Sequence, residues 1–479
     1  VIWHLDYLGT PLSRREESSC RGMGLLGGGN SGQLLILLGQ PLRQITKEDE
    51  NADIQVFESA DQPSFLSCGI QSYLEDISSS LDDLHYASVD SYKAQGVNIH
   101  TNSTVTDLDT DNKTVVVEHQ GQTATYSYDK LFLSPGGKPV TPPVDGIEKY
   151  KHVLFMRGRD WANQIKERMK DAKKAVVVGG GYIGIEAAEA FAKAGIDTTI
   201  VDVADRILNT YLDKEFTDVL ETNAQQHGLH FKGGETVQSL SGNQNGEVTT
   251  VVTDKNEYDA DTVLFAVGVE PATEWLKDKI DLGKKGIINI NHQQQTSAKD
   301  VYAGGDATLV PFAPVSEDRY IALATNSRRQ GVVAAKNMLG KEMTMPRVSG
   351  TSGLQLFDYK FGQTGIHGTE IDNYDGNLGQ TYVEELIRPQ FMQDDTKIHM
   401  KIIYDKDTHR ILGGQVMSKE DITASINTIS VVISAGFTLE QLAVQDFFFQ
   451  PDYDRPWHYL NVLAQQALGD TFGSDKMLF

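Results

Sequence analysis

Twice along this 479-residue chain a glycine-rich turn is followed by a helical pattern and then by a strand ending in an acidic residue, and from about Met345 the texture changes. These observations predict an α/β fold class: two Rossmann-like dinucleotide-binding units followed by a third domain of α+β type. The length agrees, because roughly 100 to 200 residues per domain gives about three domains, each able to bury its own core.

In the first unit Gly27, Gly29 and Gly32 space as G-x-G-x-x-G. The strand before them is little more than Leu25 and Leu26, and Gly22 and Gly24 weaken it. Asp53 to Phe57 reads as the next strand and ends in Glu58, 31 residues after Gly27 and farther than the usual spacing. A flexible glycine loop is the alternative for this stretch. The second unit is clearer. KAVVVG from Lys174 is a short β-branched run, Gly179, Gly181 and Gly184 supply G-x-G-x-x-G, and Ile183, Ala187, Ala190 and Phe191 continue at helical spacing until Gly195. Thr198 to Val201 is the following strand, with Asp202 at its end, 23 residues after Gly179.

Each glycine has a reason in that pattern. The first permits a tight turn, the second lets main chain approach a pyrophosphate, and the third lets helix and strand pack closely. A carboxylate at Asp202 accepts from a ribose 2′-hydroxyl and repels a 2′-phosphate, which favours NAD over NADP. Farther along, Lys130 to Ser134, Asp261 to Val269 and Asp300 to Asp306 read as strands closing on turns. The third domain contributes alternating strands such as Lys397 to Tyr404 and a helix over Ile422 to Ala435.

Lys plus Arg number 43 against 66 Asp plus Glu, a net charge of −23, so a phosphate-backbone or anionic-membrane partner is not expected. No run of about 18 apolar residues occurs, and Arg14 and Arg15 are not followed by an apolar segment, so neither a spanning helix nor a signal peptide is expected. Two cysteines, Cys20 and Cys68, suit a reducing cytoplasmic setting. No H-E-x-x-H, P-loop or G-x-S-x-G motif is present, and no metal is expected. His227 and His230 read as a solvated helix face.

Cys68, in Ser64-Phe65-Leu66-Ser67-Cys68-Gly69-Ile70, is expected to open a helix. There its thiolate would be stabilised by unpaired N–H groups and its pKa lowered, against the alternative of a small buried hydrophobe. The next five residues contain no cysteine. A redox role therefore has to be a single-thiol cycle between thiolate and sulfenic acid.

Several longer segments carry a resemblance: SFLSCGI around Cys68, Met156-Arg157-Gly158-Arg159, GGGYIGIEAAEAFAKAG from Gly179, the seven residues from Leu212, AVGVEP from Ala266, GGDATL from Gly304, IALATN from Ile321, FDYKF from Phe357 and FFFQPDYDRPW from Phe447. From about Asp53 to Leu468 the chain resembles the single-cysteine flavoprotein peroxide and oxygen reductases of the pyridine nucleotide–disulfide oxidoreductase superfamily. Within that group it is most similar to the NADH peroxidases, with water-forming NADH oxidases and coenzyme A disulfide reductases as neighbours.

The resemblance implies FAD and NADH as cofactors. Gly27, Gly29, Gly32 and Glu58 would hold the FAD pyrophosphate and adenosine ribose, and Asp306 the ribityl and phosphate portion. Gly179, Gly181, Gly184 and Asp202 would bind NADH, with Tyr182 covering the flavin until the nicotinamide displaces it and Glu186 near that ring. Cys68 would carry the sulfenic acid chemistry, with Arg328 near the peroxide. The implied domains are 1–145 and 276–345 for FAD, 146–275 for NADH, and 346–479 for dimerisation, the last reaching the neighbouring active site in a homodimer or homotetramer. One departure stands out: where the family places a histidine in the first glycine loop, this chain has Asn30, which donates a hydrogen bond but does not titrate. The expected reaction takes a hydride from NADH and reduces hydrogen peroxide at Cys68 to water, with oxygen as the alternative acceptor.

Overall fold

The computed structural model describes residues 45, 48 and 52–473 and, as backbone only, residues 23–27, 371–373 and 471. Gly29, Asn30, Gly32 and Cys20 lie outside the described residues.

Three five-stranded sheets organise the chain. The first is parallel, ordered Val301–Ala303, Leu131–Leu133, Met23–Gly27, Ile54–Glu58, Val97–His100. Its second cofactor-style strand pairs with the strand before the first glycine turn so that Gly27 stands opposite Glu58. Met23–Gly27 is a full five-residue strand, longer than Leu25 and Leu26 alone suggest, because parallel neighbours on both sides satisfy the backbone where the side chains give no pattern. Strand Val301–Ala303 returns to this sheet after the whole second unit has been inserted. Phe57 and Phe132 are fully buried in its core, each contributing about 1.5 to 3 kcal/mol of transfer energy.

The second sheet is also parallel, ordered Leu229–Gly233, Asp197–Asp202, Lys174–Val178, Thr262–Phe265, Val153–Phe155. Its central strand is buried from Ala175 to Val178, as expected of a β-branched run covered on both faces. Helix Tyr182–Lys193 buries Gly184, Ile185, Ala187, Ala188, Glu189, Ala190 and Phe191, so it is enclosed on most sides. Each parallel unit carries a three-stranded antiparallel meander, and short strands Gly137–Pro139 and Val269–Pro271 pair across the two.

The third sheet is antiparallel, ordered Ser352–Leu356, Tyr359–Gly365, Ile411–Ser418, Lys397–Asp405, Leu378–Leu386, with helices Thr423–Ala435 and Tyr459–Leu468 packed on it. It is joined to the second unit by a buried cation: Lys401 Nζ lies 2.9 Å from both Asp213 Oδ2 and Glu215 Oε1. Asp213 also accepts from the Gly368 N–H at 2.9 Å. One apolar cluster spans all three parts, including Ile70 and Leu74, Ile185 and Phe191, and Phe361 and Met417.

Candidate active site

The second glycine turn shows the geometry its pattern implies. Gly179 has φ +107°, and a Cβ there would meet the Ala266 carbonyl at 2.5 Å. A Cβ on Gly184 would lie 1.8 Å from the Gly179 carbonyl, so only glycine allows helix and strand to approach this closely. Gly181 caps helix Tyr182–Lys193, and a Cβ there would meet nothing within 4 Å. The space at this helix N-terminus is therefore open to an anion, which the helix N–H groups favour. Asp202 ends strand Asp197–Asp202, where its two carboxylate oxygens accept from the Ala204 N–H at 2.8 Å and the Gly180 N–H at 2.5 Å.

In the first unit Glu58 is buried at the strand end beside Gly27, and its Oε1 accepts from the Ala60 N–H at 2.9 Å. Asp306 follows the turn Gly304-Gly305, where Gly305 has φ +88°. Gln330 holds that turn, accepting from the Gly305 N–H and donating to Thr308 Oγ1, both at 2.8 Å. Asp306 is buried against Arg157, with Nη2 to Oδ2 at 2.9 Å.

Cys68 lies in the 3₁₀ turn Ser67–Gly69, which runs into helix Ile70–Leu74. Cys68 is exposed, and it is a free cysteine. Contrary to the sequence expectation, its pKa is raised: desolvation acts first, then the charges of Glu186 and Asp306, and together they outweigh Arg157 and the thiol's own backbone hydrogen bond. A helix of five residues has little dipole to offer, and the two carboxylates come from distant parts of the chain. Cys68, Glu186, Asp306 and Arg157 are thus close enough to act on one another, at the meeting of the two parallel units. Glu186 itself is pushed up to about 7, by burial and by the charges of Glu189 and Glu75.

Tyr182 is stacked on Tyr211, with ring centroids 3.9 Å apart, and its hydroxyl lies 3.0 Å from Ser352 Oγ of the third domain. Arg328 stands beside Tyr86. It is exposed, with its guanidinium 5.4 Å from the Tyr86 ring centre. His227 is not simply solvated, because its ring stacks at 4.5 Å on Phe357 of the third domain. Arg157, Tyr211, Ser352 and Gln330 went unassigned in the sequence, and Arg157 alone had a signal there, as part of a matching segment.

Residues 40–331 match the pyridine nucleotide-disulphide oxidoreductase family, and residues 351–459 match that family's dimerisation domain. The chain belongs to this family. Among its relatives, an NADH oxidase of Enterococcus faecalis is 42% identical over 89% of this chain and 96% of its own length. A water-forming NADH oxidase from Lactobacillus brevis, solved bound to NADH, is similar with TM-score 0.89 and 36% identity, covering 94% of this chain and 99% of that one. An NAD(P)H coenzyme A polysulfide/persulfide reductase of Pyrococcus horikoshii is 32% identical over 86% of this chain and 92% of its own. Within the pyridine nucleotide-disulphide oxidoreductases, these relatives favour the oxidase reading that the sequence placed second. No helix among the described residues is long and apolar enough to cross a membrane.

Proposed function

We propose that this oxidoreductase is a water-forming NADH oxidase with FAD and NADH as cofactors and Cys68 as its single redox thiol. The observation that carries the proposal is Cys68 standing within the influence of Glu186, Asp306 and Arg157, in a chain similar to an NADH oxidase and to a water-forming NADH oxidase. On this reading residues 1–145 and 276–345 hold FAD, 146–275 hold NADH, and 346–479 pair two chains in a cytoplasmic homo-oligomer.

FAD, when bound, supplies the two-electron carrier between NADH and the acceptor. The rest is the work of this chain's own residues. The open N-terminus at Gly181 receives the NADH pyrophosphate, and Asp202 accepts from the adenosine ribose and disfavours a 2′-phosphate. Gly27, Gly29, Gly32 and Glu58 do the corresponding work for FAD, with Asp306 toward its ribityl end. Tyr182 occupies the approach to the nicotinamide position and is held there by Tyr211 and Ser352.

Oxygen reduced by two electrons gives hydrogen peroxide, which Cys68 removes. The thiolate attacks one peroxide oxygen, an S–O bond forms, the O–O bond breaks, and the departing oxygen takes a proton to leave as water. Two electrons from a second NADH and one proton then return the sulfenic acid to thiolate with a second water. Arg157 favours the anionic sulfur, and Glu186 and Asp306 oppose it.

Peroxide taken from solution is the second reading, favoured by the Met156–Arg159 and Phe357–Phe361 segments. NADH consumption followed in air, and without oxygen with and without added peroxide, separates the two. The oxidase reading expects turnover in air at least as fast as with peroxide alone; turnover only when peroxide is added overturns it.

A further inference from the structure

A buried carboxylate bonds the helix that follows Cys68 to two other parts of the molecule. Glu189, 1% exposed, lies on the inner face of helix Tyr182–Lys193, one turn beyond Glu186. Its Oε2 accepts from Gln71 Nε2 at 2.8 Å, one turn along from Cys68. Its Oε1 accepts from the Phe357 N–H at 2.7 Å and pairs with Lys193 Nζ at 2.9 Å. Gln71 and Lys193 also meet Glu75, each at 2.8 Å, which closes the network. Phe357 offers its N–H from a left-handed conformation, φ +48°, that a bulky residue rarely adopts. Strain of that kind persists only where the surroundings hold it.

Glu189 is therefore the point at which the thiol segment, the NADH-unit helix and the third domain are joined, inside the apolar cluster the three share. A buried carboxylate costs much to leave unpaired, and each of its donors comes from a different element or turn. No atom of Glu189 is seen touching the thiol. Its effect reaches Cys68 through Gln71, one turn along the thiol segment, and through its own charge, which favours the neutral form of Glu186.

We infer that Glu189 is a positioning residue that fixes the redox thiol for capture of peroxide before it escapes. The inference rests on the single-thiol oxidase reading above. It predicts a fault of a particular kind: enzyme that still takes electrons from NADH but releases part of the oxygen it reduces as hydrogen peroxide.

The test uses FAD-loaded full-length enzyme in four forms: wild type, Glu189→Gln, Gln71→Met and Cys68→Ser. Released peroxide per NADH oxidised is measured alongside the rate at which iodoacetamide alkylates Cys68, and FAD content and melting temperature check folding. Gln71→Met keeps the side chain's length and removes its amide, including the donor to Glu189, so it reads the link even where Glu189→Gln folds poorly. The inference expects both network variants to release more peroxide than wild type and to change the alkylation rate roughly ten-fold, the scale of one charge-assisted hydrogen bond. Wild-type alkylation in both network variants overturns it. Should Cys68→Ser release no more peroxide than wild type, the oxidase reading fails, and the alkylation rates alone then uphold or overturn the role of Glu189.

Discussion

A carboxyl pushed up to about 7 beside a thiol pushed above its ordinary value links the ionisation of Glu186 to that of Cys68. Below about pH 7 Glu186 is protonated and neutral. Above it, the carboxylate charge opposes the thiolate, so Cys68 needs a higher pH to become nucleophilic. Glu186→Gln removes that charge and is expected to move the onset of Cys68 alkylation to lower pH; an unchanged or higher onset contradicts the assignment. The positions of Cys68, Glu186 and Asp306 were legible because each sits in a segment with its own pattern. The direction of the thiol shift was not. It depends first on burial and then on the charges of carboxylates 118 and 238 residues away in sequence, which come near only in the folded chain. Glu189 was equally hidden, since a glutamate on an alanine-rich helix reads as a polar face until Gln71 and Phe357 are placed around it.

At the scale of elements, the second glycine turn separates folding from binding within four residues. A Cβ at Gly184 would collide with the backbone at Gly179, whereas a Cβ at Gly181 would enter open space at the helix N-terminus. Gly184→Ala is therefore expected to lower the melting temperature by several degrees, because helix and strand must part. Gly181→Ala is expected to leave melting unchanged while raising the KM for NADH, and a matching loss of stability in both variants contradicts the distinction. This unit was readable because its two central strands, KAVVV and DTTIVD, are rich in β-branched residues and the first is buried from Ala175 to Val178. Met23–Gly27 was harder, for MGLLG has almost no local preference and is made a strand by its neighbours in the sheet.

Across the whole molecule, the third domain is held to the second unit by buried Lys401 between Asp213 and Glu215, and removing one partner of such a pair costs about 3 to 5 kcal/mol. The third domain also exposes Phe448, Phe449, Tyr453 and Trp457 close together in sequence, where the match to the family's dimerisation domain ends. Aromatic side chains left this open suit the centre of a subunit interface. Phe448→Asp combined with Trp457→Asp is expected to lower the mass seen by sedimentation toward one chain, and an unchanged mass contradicts that placement. The three-domain order was legible from glycine spacing and the change of texture after Met345, while the joints between domains were not, because they are made by single side chains. The central claim is that one thiol completes the reduction of oxygen to water, and the ratio of NADH consumed to oxygen consumed tests it most directly. Wild type is predicted to use two NADH per oxygen and Cys68→Ser one, with hydrogen peroxide accumulating; a ratio of two in Cys68→Ser would contradict the account.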